Sequence, residues 1–285
     1  FMGMTESPVL IKNDLPTMNR SEIFLVMVSG MGTIAGSVMG TYIGMLGGTD
    51  PAAKVLFATH LLSASVMAVP GSIVLAKMLC PQTEEATDHV AISGKEKENS
   101  NILDAISSGT VTGVKLMTNI AAMLLVFISL VALANYITEG VIGRYTGLND
   151  WIVKITDGKA QGLTFQFILG VITSPFMWLI GVPSQDIMLV GSLLGQKTIL
   201  NEFVAYFQLQ QWKDAGLFMY EKSILMSTYI LCGFANISSI GILLGGLGVL
   251  APEKRGLISR IGVPAMIGGA LVSVLSATII GMILG

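Results

Sequence analysis

Two stretches, Lys197-Thr198-Ile199-Leu200-Asn201-Glu202-Phe203-Val204-Ala205-Tyr206 and Gly233-Phe234-Ala235-Asn236-Ile237-Ser238-Ser239-Ile240, decide the fold. The second lies inside an apolar run, residues 223–250, long enough to cross a bilayer, which takes roughly 20 residues. An ionised side chain at the bilayer centre costs on the order of 3 kcal/mol even on the lenient insertion scale. Glu202 must therefore face a cavity or a polar partner. The same pairing occurs once before, in the same order: Thr5-Glu6, then Gly30-Met31-Gly32-Thr33-Ile34-Ala35-Gly36-Ser37. A third segment completes the match, Leu61-Leu62-Ser63-Ala64-Ser65-Val66 in the first half and Ala270-Leu271-Val272-Ser273-Val274-Leu275-Ser276 in the second. Three unlike segments recurring in order point to an internal duplication. The intervening apolar run, residues 113–137, leaves an odd number of spans between the halves, which inverts one relative to the other, as in many secondary transporters.

Composition agrees. The 285 residues are 52% hydrophobic and 12% charged, with a mean hydropathy of +0.74; soluble domains carry about 25% charged residues. The 33 glycines suit membrane helices, where they allow close backbone approach and breaks. A net charge of −2 gives no reason to expect a nucleic-acid partner. Cys80 and Cys232 have no C-x-x-C spacing and no histidine at ligand spacing, so they read as small buried hydrophobes. No H-E-x-x-H, G-x-S-x-G, P-loop or dinucleotide fingerprint is present, and nothing supports an enzyme. Phe1-Met2-Gly3 opens in mid-pattern, without a charged leader, and reads as the start of a fragment missing earlier helices.

The expected fold class is an all-α polytopic membrane protein, a transporter with inverted repeats and re-entrant helical hairpins. Spans are expected at residues 22–46, 54–79, 113–137, 223–250 and 258–284. Between 163 and 206 the apolar sequence is punctuated by Thr173-Ser174-Pro175 and Gly181-Val182-Pro183-Ser184, which reads as an interfacial helix or short span followed by a re-entrant hairpin ending near Glu202. Polar stretches at 81–108, 208–222 and 253–260 read as aqueous connections. The resulting domains are a first repeat at 1–80 holding the end of one hairpin and two spans, a polar loop at 81–112, a connecting helix at 113–140, and a second repeat at 141–285.

Glu202 is the strongest functional candidate, an acceptor for hydroxyl or amide groups of a polar solute; the bland alternative pairs it with Lys197. Glu6 carries the same argument at the other hairpin tip, against a merely interfacial glutamate. Asn236, Ser238 and Ser239 offer donors and acceptors together, for a solute or for helix packing. Thr33 and Ser37 could present oxygens to a hard cation or serve as interhelical glue. Phe234 could stack on a planar ring, with ordinary packing the default. His60 reads as a hydrogen-bonded structural histidine, with a proton relay the alternative.

Taken together, several motifs resemble the concentrative nucleoside transporter family of bacterial type, over essentially the whole chain. They are Gly3-Met4-Thr5-Glu6-Ser7-Pro8, Arg20-Ser21-Glu22-Ile23-Phe24, Thr33-Ile34-Ala35-Gly36-Ser37-Val38, His60-Leu61-Leu62-Ser63-Ala64-Ser65-Val66-Met67, Val190-Gly191-Ser192-Leu193-Leu194-Gly195, Asn201-Glu202-Phe203-Val204-Ala205 and Gly233-Phe234-Ala235-Asn236-Ile237-Ser238-Ser239-Ile240-Gly241. The resemblance implies a nucleoside:cation symporter in the bacterial inner membrane, a multi-pass homotrimer in the lipid bilayer, working by an elevator-like alternating-access movement. It implies no cofactor beyond a coupling Na+ or H+. By position it implies that Thr5 and Glu6 bind the base, that Glu202, Asn236 and Ser239 bind the sugar, and that Phe234 and Val38 line the site. Met2, Thr33 and Ile34 would belong to a Na+ site. Met4 stands where the family's hairpin tip carries a glutamine. The rival of a different class is a channel or gate of related architecture that does not concentrate its solute.

Overall fold

The computed structural model describes residues 2–4, 6–84, 101–104, 106–107, 110–111, 114, 125–126, 129–130, 132–156, 158 and 160–285, with no strand among them. Thr5, and most of the expected polar loop and 113–137 span, lie outside the described residues. The chain divides into two compact units, residues 1–89 with 166–285, and residues 90–165.

In the first unit, helix α1 (Arg20–Gly32) starts from a capping box. Asn19 Oδ1 accepts from the Glu22 amide at 3.0 Å, and the Glu22 carboxylate accepts from the Asn19 amide at 2.8 Å. Such a cap contributes about 1 kcal/mol. After an extended break at Thr33-Ile34-Ala35 the chain resumes as α2 (Gly36–Gly47). Helix α3 (Pro51–Leu79) is uninterrupted; Asp50 accepts from the amides of Ala52 and Ala53, and Pro51 fills the first position, where its missing N–H is no loss. Its 29 residues reach about 43 Å at 1.5 Å per residue, more than the roughly 30 Å of hydrocarbon in a bilayer.

The second unit holds a π-helical segment, Tyr136–Gly143, and α4 (Leu148–Ile155). Asn149 joins them to the following turn, donating to Glu139 O and accepting from the Leu163 amide, each at 3.0 Å. Helix α4 buries Ile152 and exposes Trp151, Val153 and Ile155.

The chain then runs through α5 (Phe165–Leu179), α6 (Ile187–Ile199), α7 (Glu202–Asp214), α8 (Glu221–Leu231), α9 (Ile237–Leu250) and α10 (Arg255–Ile283). Helices α6 and α7 form the re-entrant hairpin. Each has 13 residues, about 20 Å long and too short to cross a bilayer. Asn201 makes the tip: its side chain caps α7 by accepting from the Val204 amide at 2.9 Å. Gly191 and Gly195 face α5, where an added Cβ would fall 2.5 Å from Thr173 Oγ1 and 2.6 Å from Leu169 Cβ, so the two helices meet almost backbone to backbone.

Two hydrophobic cores organise the first unit. One gathers α2, the first half of α3, the hairpin and α8 around Tyr42, Leu61, Leu193, Tyr206 and Tyr229. The other gathers α1, α9, α10 and the second half of α3 around Phe24, Met31, Leu243 and Val272. The opening half of the first broken span thus shares a core with the closing half of the second, and the remaining halves share the other. Two antiparallel broken spans produce that sorting, and it is the physical form of the inverted repeat.

Two expectations need correction, and two expected spans, 22–46 and 223–250, prove to be pairs of helices with an extended break inside each. The second is broken at 232–236 because the two breaks touch there: a Cβ on Gly233 would fall 2.9 Å from Met31 O. The hairpin does not end near Glu202, which opens its second arm instead. Part of the stretch at 208–222, read as an aqueous connection, is the end of that arm, with Leu209 buried.

Candidate functional site

Glu202 is buried, with 7% of its surface exposed, at the first position of α7. One carboxylate oxygen accepts from Asn236 Nδ2 at 3.0 Å, and the other accepts from the Tyr42 hydroxyl at 3.4 Å. Its partners come from both halves of the chain. Tyr42 sits on α2 and stacks on Tyr206 at 4.1 Å between ring centres; Tyr206 in turn donates to Thr228 O at 2.8 Å. The tyrosine pair therefore joins α2, the hairpin and α8 beneath the carboxylate.

Asn236 occupies the second break. Its Oδ1 caps α9, accepting from the Ser239 amide at 2.9 Å, the Ser239 hydroxyl at 3.0 Å and the Ser238 hydroxyl at 2.7 Å. With that oxygen committed to the helix end, the amide nitrogen can only point outward, to Glu202. Asn236 and Ser239 are buried, and Phe234 packs half-buried between the two cores. A carboxylate, an amide and two hydroxyls thus converge at a helix N-terminus, a combination suited to a neutral solute rich in hydroxyl groups.

The first break is less filled. Ile34 is buried, Thr33 is half-buried with its hydroxyl donating to Ser29 O at 3.2 Å, and Val38 packs half-buried against the tyrosine-centred core. Met4 is buried on Gly30 of α1, whose added Cβ would fall 3.2 Å from it. Glu6 is exposed and folded back on its own turn, accepting from the Gly3 amide at 2.7 Å; Met2 is 47% exposed. Glu202, Asn236 and Ser239 are brought together in one hydrogen-bonded cluster. Glu6 and Met2 are not joined to it, and Thr5 lies outside the described residues. No group of three metal-binding side chains occurs among the described residues.

Lys197 does not pair with Glu202: its ammonium donates to Ile230 O at 2.7 Å and Ser273 Oγ at 2.9 Å. His60 is hydrogen-bonded through Nδ1 to the Tyr229 hydroxyl at 3.1 Å. Sequence reasoning missed Tyr42 and Asp186. A lone tyrosine in a glycine-rich apolar helix was a signal, because its hydroxyl needs a partner once buried. Asp186 is fully buried and accepts from the amides of Met219 and Tyr220 at 3.0 and 3.1 Å, tying the start of the hairpin to the turn before α8.

Comparison with known proteins follows the same lines. Residues 60–281 match the family described as "Na+ dependent nucleoside transporter C-terminus". An uncharacterized transporter of Haemophilus influenzae is 38% identical over 288 residues, covering 100% of this chain and 64% of the relative. The rat sodium/nucleoside cotransporter 1 is 38% identical over 297 residues, covering 99% of this chain and 42% of that protein. The solved structure of CNTnw in an inward-facing substrate-bound state is 36% identical with a TM-score of 0.83, covering 99% of this chain and 61% of that one. A CNTnw variant in an outward-facing state matches with a TM-score of 0.86, at 35% identity, over 99% of this chain and 63% of that one. The chain thus spans about two thirds of its bacterial relatives and less than half of the mammalian one. These relatives are named as transporters, and none as an enzyme. An all-helical, apolar, multi-pass membrane protein whose residues 60–281 fit this profile, the chain belongs to the Na+-dependent nucleoside transporter family.

Proposed function

We propose that the chain is the solute-carrying part of a nucleoside:cation symporter of the bacterial inner membrane, a homotrimer that imports nucleosides uphill by elevator-like alternating access. The observation that carries the reading is the buried Glu202–Asn236 contact at the second helix break. In this reading Glu202, Asn236 and Ser239 take the ribose hydroxyls, Phe234 and Val38 flank the solute, and Thr5 and Glu6 meet the base. Glu6, exposed and closed on Gly3, must swing from its own turn to do so. Hydroxyl recognition by buried groups is selective, because an analogue lacking the hydroxyl leaves them unpaired.

The coupling ion is Na+, held by oxygens of Met2, Thr33 and Ile34. A broken helix supports this, since the carbonyls at its C-terminal end lack helical donors and carry partial negative charge. The relatives' names and the two CNTnw states support sodium coupling and alternating access. Domain limits of 1–80, 81–112, 113–140 and 141–285 go with this reading. The test is uptake of labelled uridine into proteoliposomes holding the intact protein. An inward Na+ gradient should drive accumulation above the outside concentration, and equilibration without accumulation would make the protein a channel or gate instead.

A further inference from the structure

Lys197 is fully buried in apolar surroundings, and the site described above leaves it without a role. Its ammonium lies at the broken end of α8, donating to Ile230 O at 2.7 Å and to Ser273 Oγ at 2.9 Å. The Ser273 hydroxyl has one proton to donate, to Cys232 O at 3.2 Å or to Gly269 O at 3.4 Å, so with either acceptor it presents a lone pair to the lysine. Ile230 and Cys232 stand at the last turn of a helix that ends at Leu231, where carbonyls are orphaned and the helix dipole is negative. Beyond the break stands Asn236, which aims its amide at Glu202. Lys197 itself sits one turn before the hairpin tip that carries Glu202. One buried charge therefore ties the hairpin to the break that faces it.

The first half differs in sequence at the matching position. Five residues before Glu202 stands Lys197, and five residues before Glu6 stands Phe1. The carbonyl end of α1 at the first break lacks a lysine at the matching position.

We propose that Lys197 is a tethered cation that caps the carbonyl end of α8 and holds Asn236 in register with Glu202, making it a positioning residue of the solute site. The second break so carries its own tethered ammonium, while the first depends on a mobile cation. This rests on the transport reading for its consequence and on geometry alone for the cap.

The experiment uses the intact protein with Lys197→Ala, which removes three methylenes and the ammonium, a gap that n-propylammonium fits in both length and charge. Two quantities are read with and without the amine: the unfolding midpoint in detergent and the initial rate of uridine uptake in proteoliposomes. The expected result is an uptake at least tenfold below wild type, raised severalfold by n-propylammonium but not by propanol. The midpoint should rise with the amine in the variant only. Wild type and Glu202→Gln should show no response. If wild type fails to transport uridine, the transport reading fails while the midpoint still decides the cap. A folded Lys197→Ala that transports within twofold of wild type, or that ignores the amine in both readouts, overturns the proposal. Should Lys197→Ala not survive purification, Ser273→Ala decides: it leaves the ammonium one partner, and uptake within twofold of wild type is refuting there too.

Discussion

Replacing Glu202 by glutamine separates the protein's own hydrogen bonds from those offered to a solute. The amide oxygen of the substituted side chain can still accept from Asn236 Nδ2, where the carboxylate does so at 3.0 Å, and its NH2 can donate to the Tyr42 hydroxyl oxygen, where 3.4 Å now separates the two groups. The fold then loses the charge assistance of both bonds, and the Tyr42 hydroxyl proton gives up its acceptor, together about 2 kcal/mol. A ribose loses more. One hydroxyl exchanges a charged acceptor for a neutral one, about 1 kcal/mol, and a second meets an N–H where it had an acceptor, about 1.5–3 kcal/mol. At 1.4 kcal/mol per decade the sum is roughly 50- to 1,000-fold in uptake efficiency. The assay measures initial rates against concentration for uridine and 2′,3′-dideoxyuridine in proteoliposomes. Wild type should prefer uridine by about that factor, and Glu202→Gln should take both within a few-fold of each other. If the variant keeps the wild-type preference, the sugar is not read by Glu202 and the site assignment is wrong, however low its uptake.

Other variants probe the supports of that carboxylate. Tyr42→Phe keeps the stack on Tyr206 and removes one long hydrogen bond, so it should cost under about 1 kcal/mol of stability and lower uridine uptake severalfold less than Glu202→Gln, in the same transport assay. Gly233→Ala puts a Cβ 2.9 Å from Met31 O and 3.0 Å from Ser273 Oγ; overpacking of this kind costs roughly 1–3 kcal/mol, visible as a lower unfolding midpoint, and an unchanged midpoint would contradict the crossing of the two breaks. Asp186→Ala strips the Met219 and Tyr220 amides of their acceptor, at about 1–3 kcal/mol for each buried donor left unpaired; faster hydrogen exchange at those two amides is the direct measurement.

Much of the architecture was legible because membrane burial leaves a strong compositional trace. Helices α3 and α10 were readable from hydropathy alone, and the duplication showed as three unlike segments in one order. The breaks at Thr33–Ala35 and Cys232–Asn236 were not, because glycine is common in membrane helices whether or not they break. What sets the second break is a contact between distant segments, Gly233 on Met31 O, and no local pattern carries that. The second arm of the hairpin hid behind Gln208, Gln210 and Gln211, which look aqueous in sequence, although Tyr206 and Leu209 on the same helix are fully buried. Glu202, Asn236 and Ser239 were found because polar groups in apolar sequence are conspicuous. Lys197 entered only as the bland alternative partner of Glu202, poorly aligned with it on one helix, and its actual partners, the Ile230 carbonyl and the Ser273 hydroxyl, lie on helices more than thirty residues away where no local pattern points.

The backbone contact between Gly233 and Met31 also limits how such a chain can vary in length. Inserting one residue into α1 ahead of Met31 would turn everything upstream or downstream by about 100° and shift it about 1.5 Å along the axis. No rotamer change absorbs that at a point where main chain meets main chain. Deletions and insertions in α1, α8 and the stretch of α10 around Gly269, which lies against Met31 as well, are therefore locked to one another. A one-residue insertion clear of the intersection, as at the Gly47-Gly48 turn, should therefore lower the unfolding midpoint less than one placed in α1 ahead of Met31.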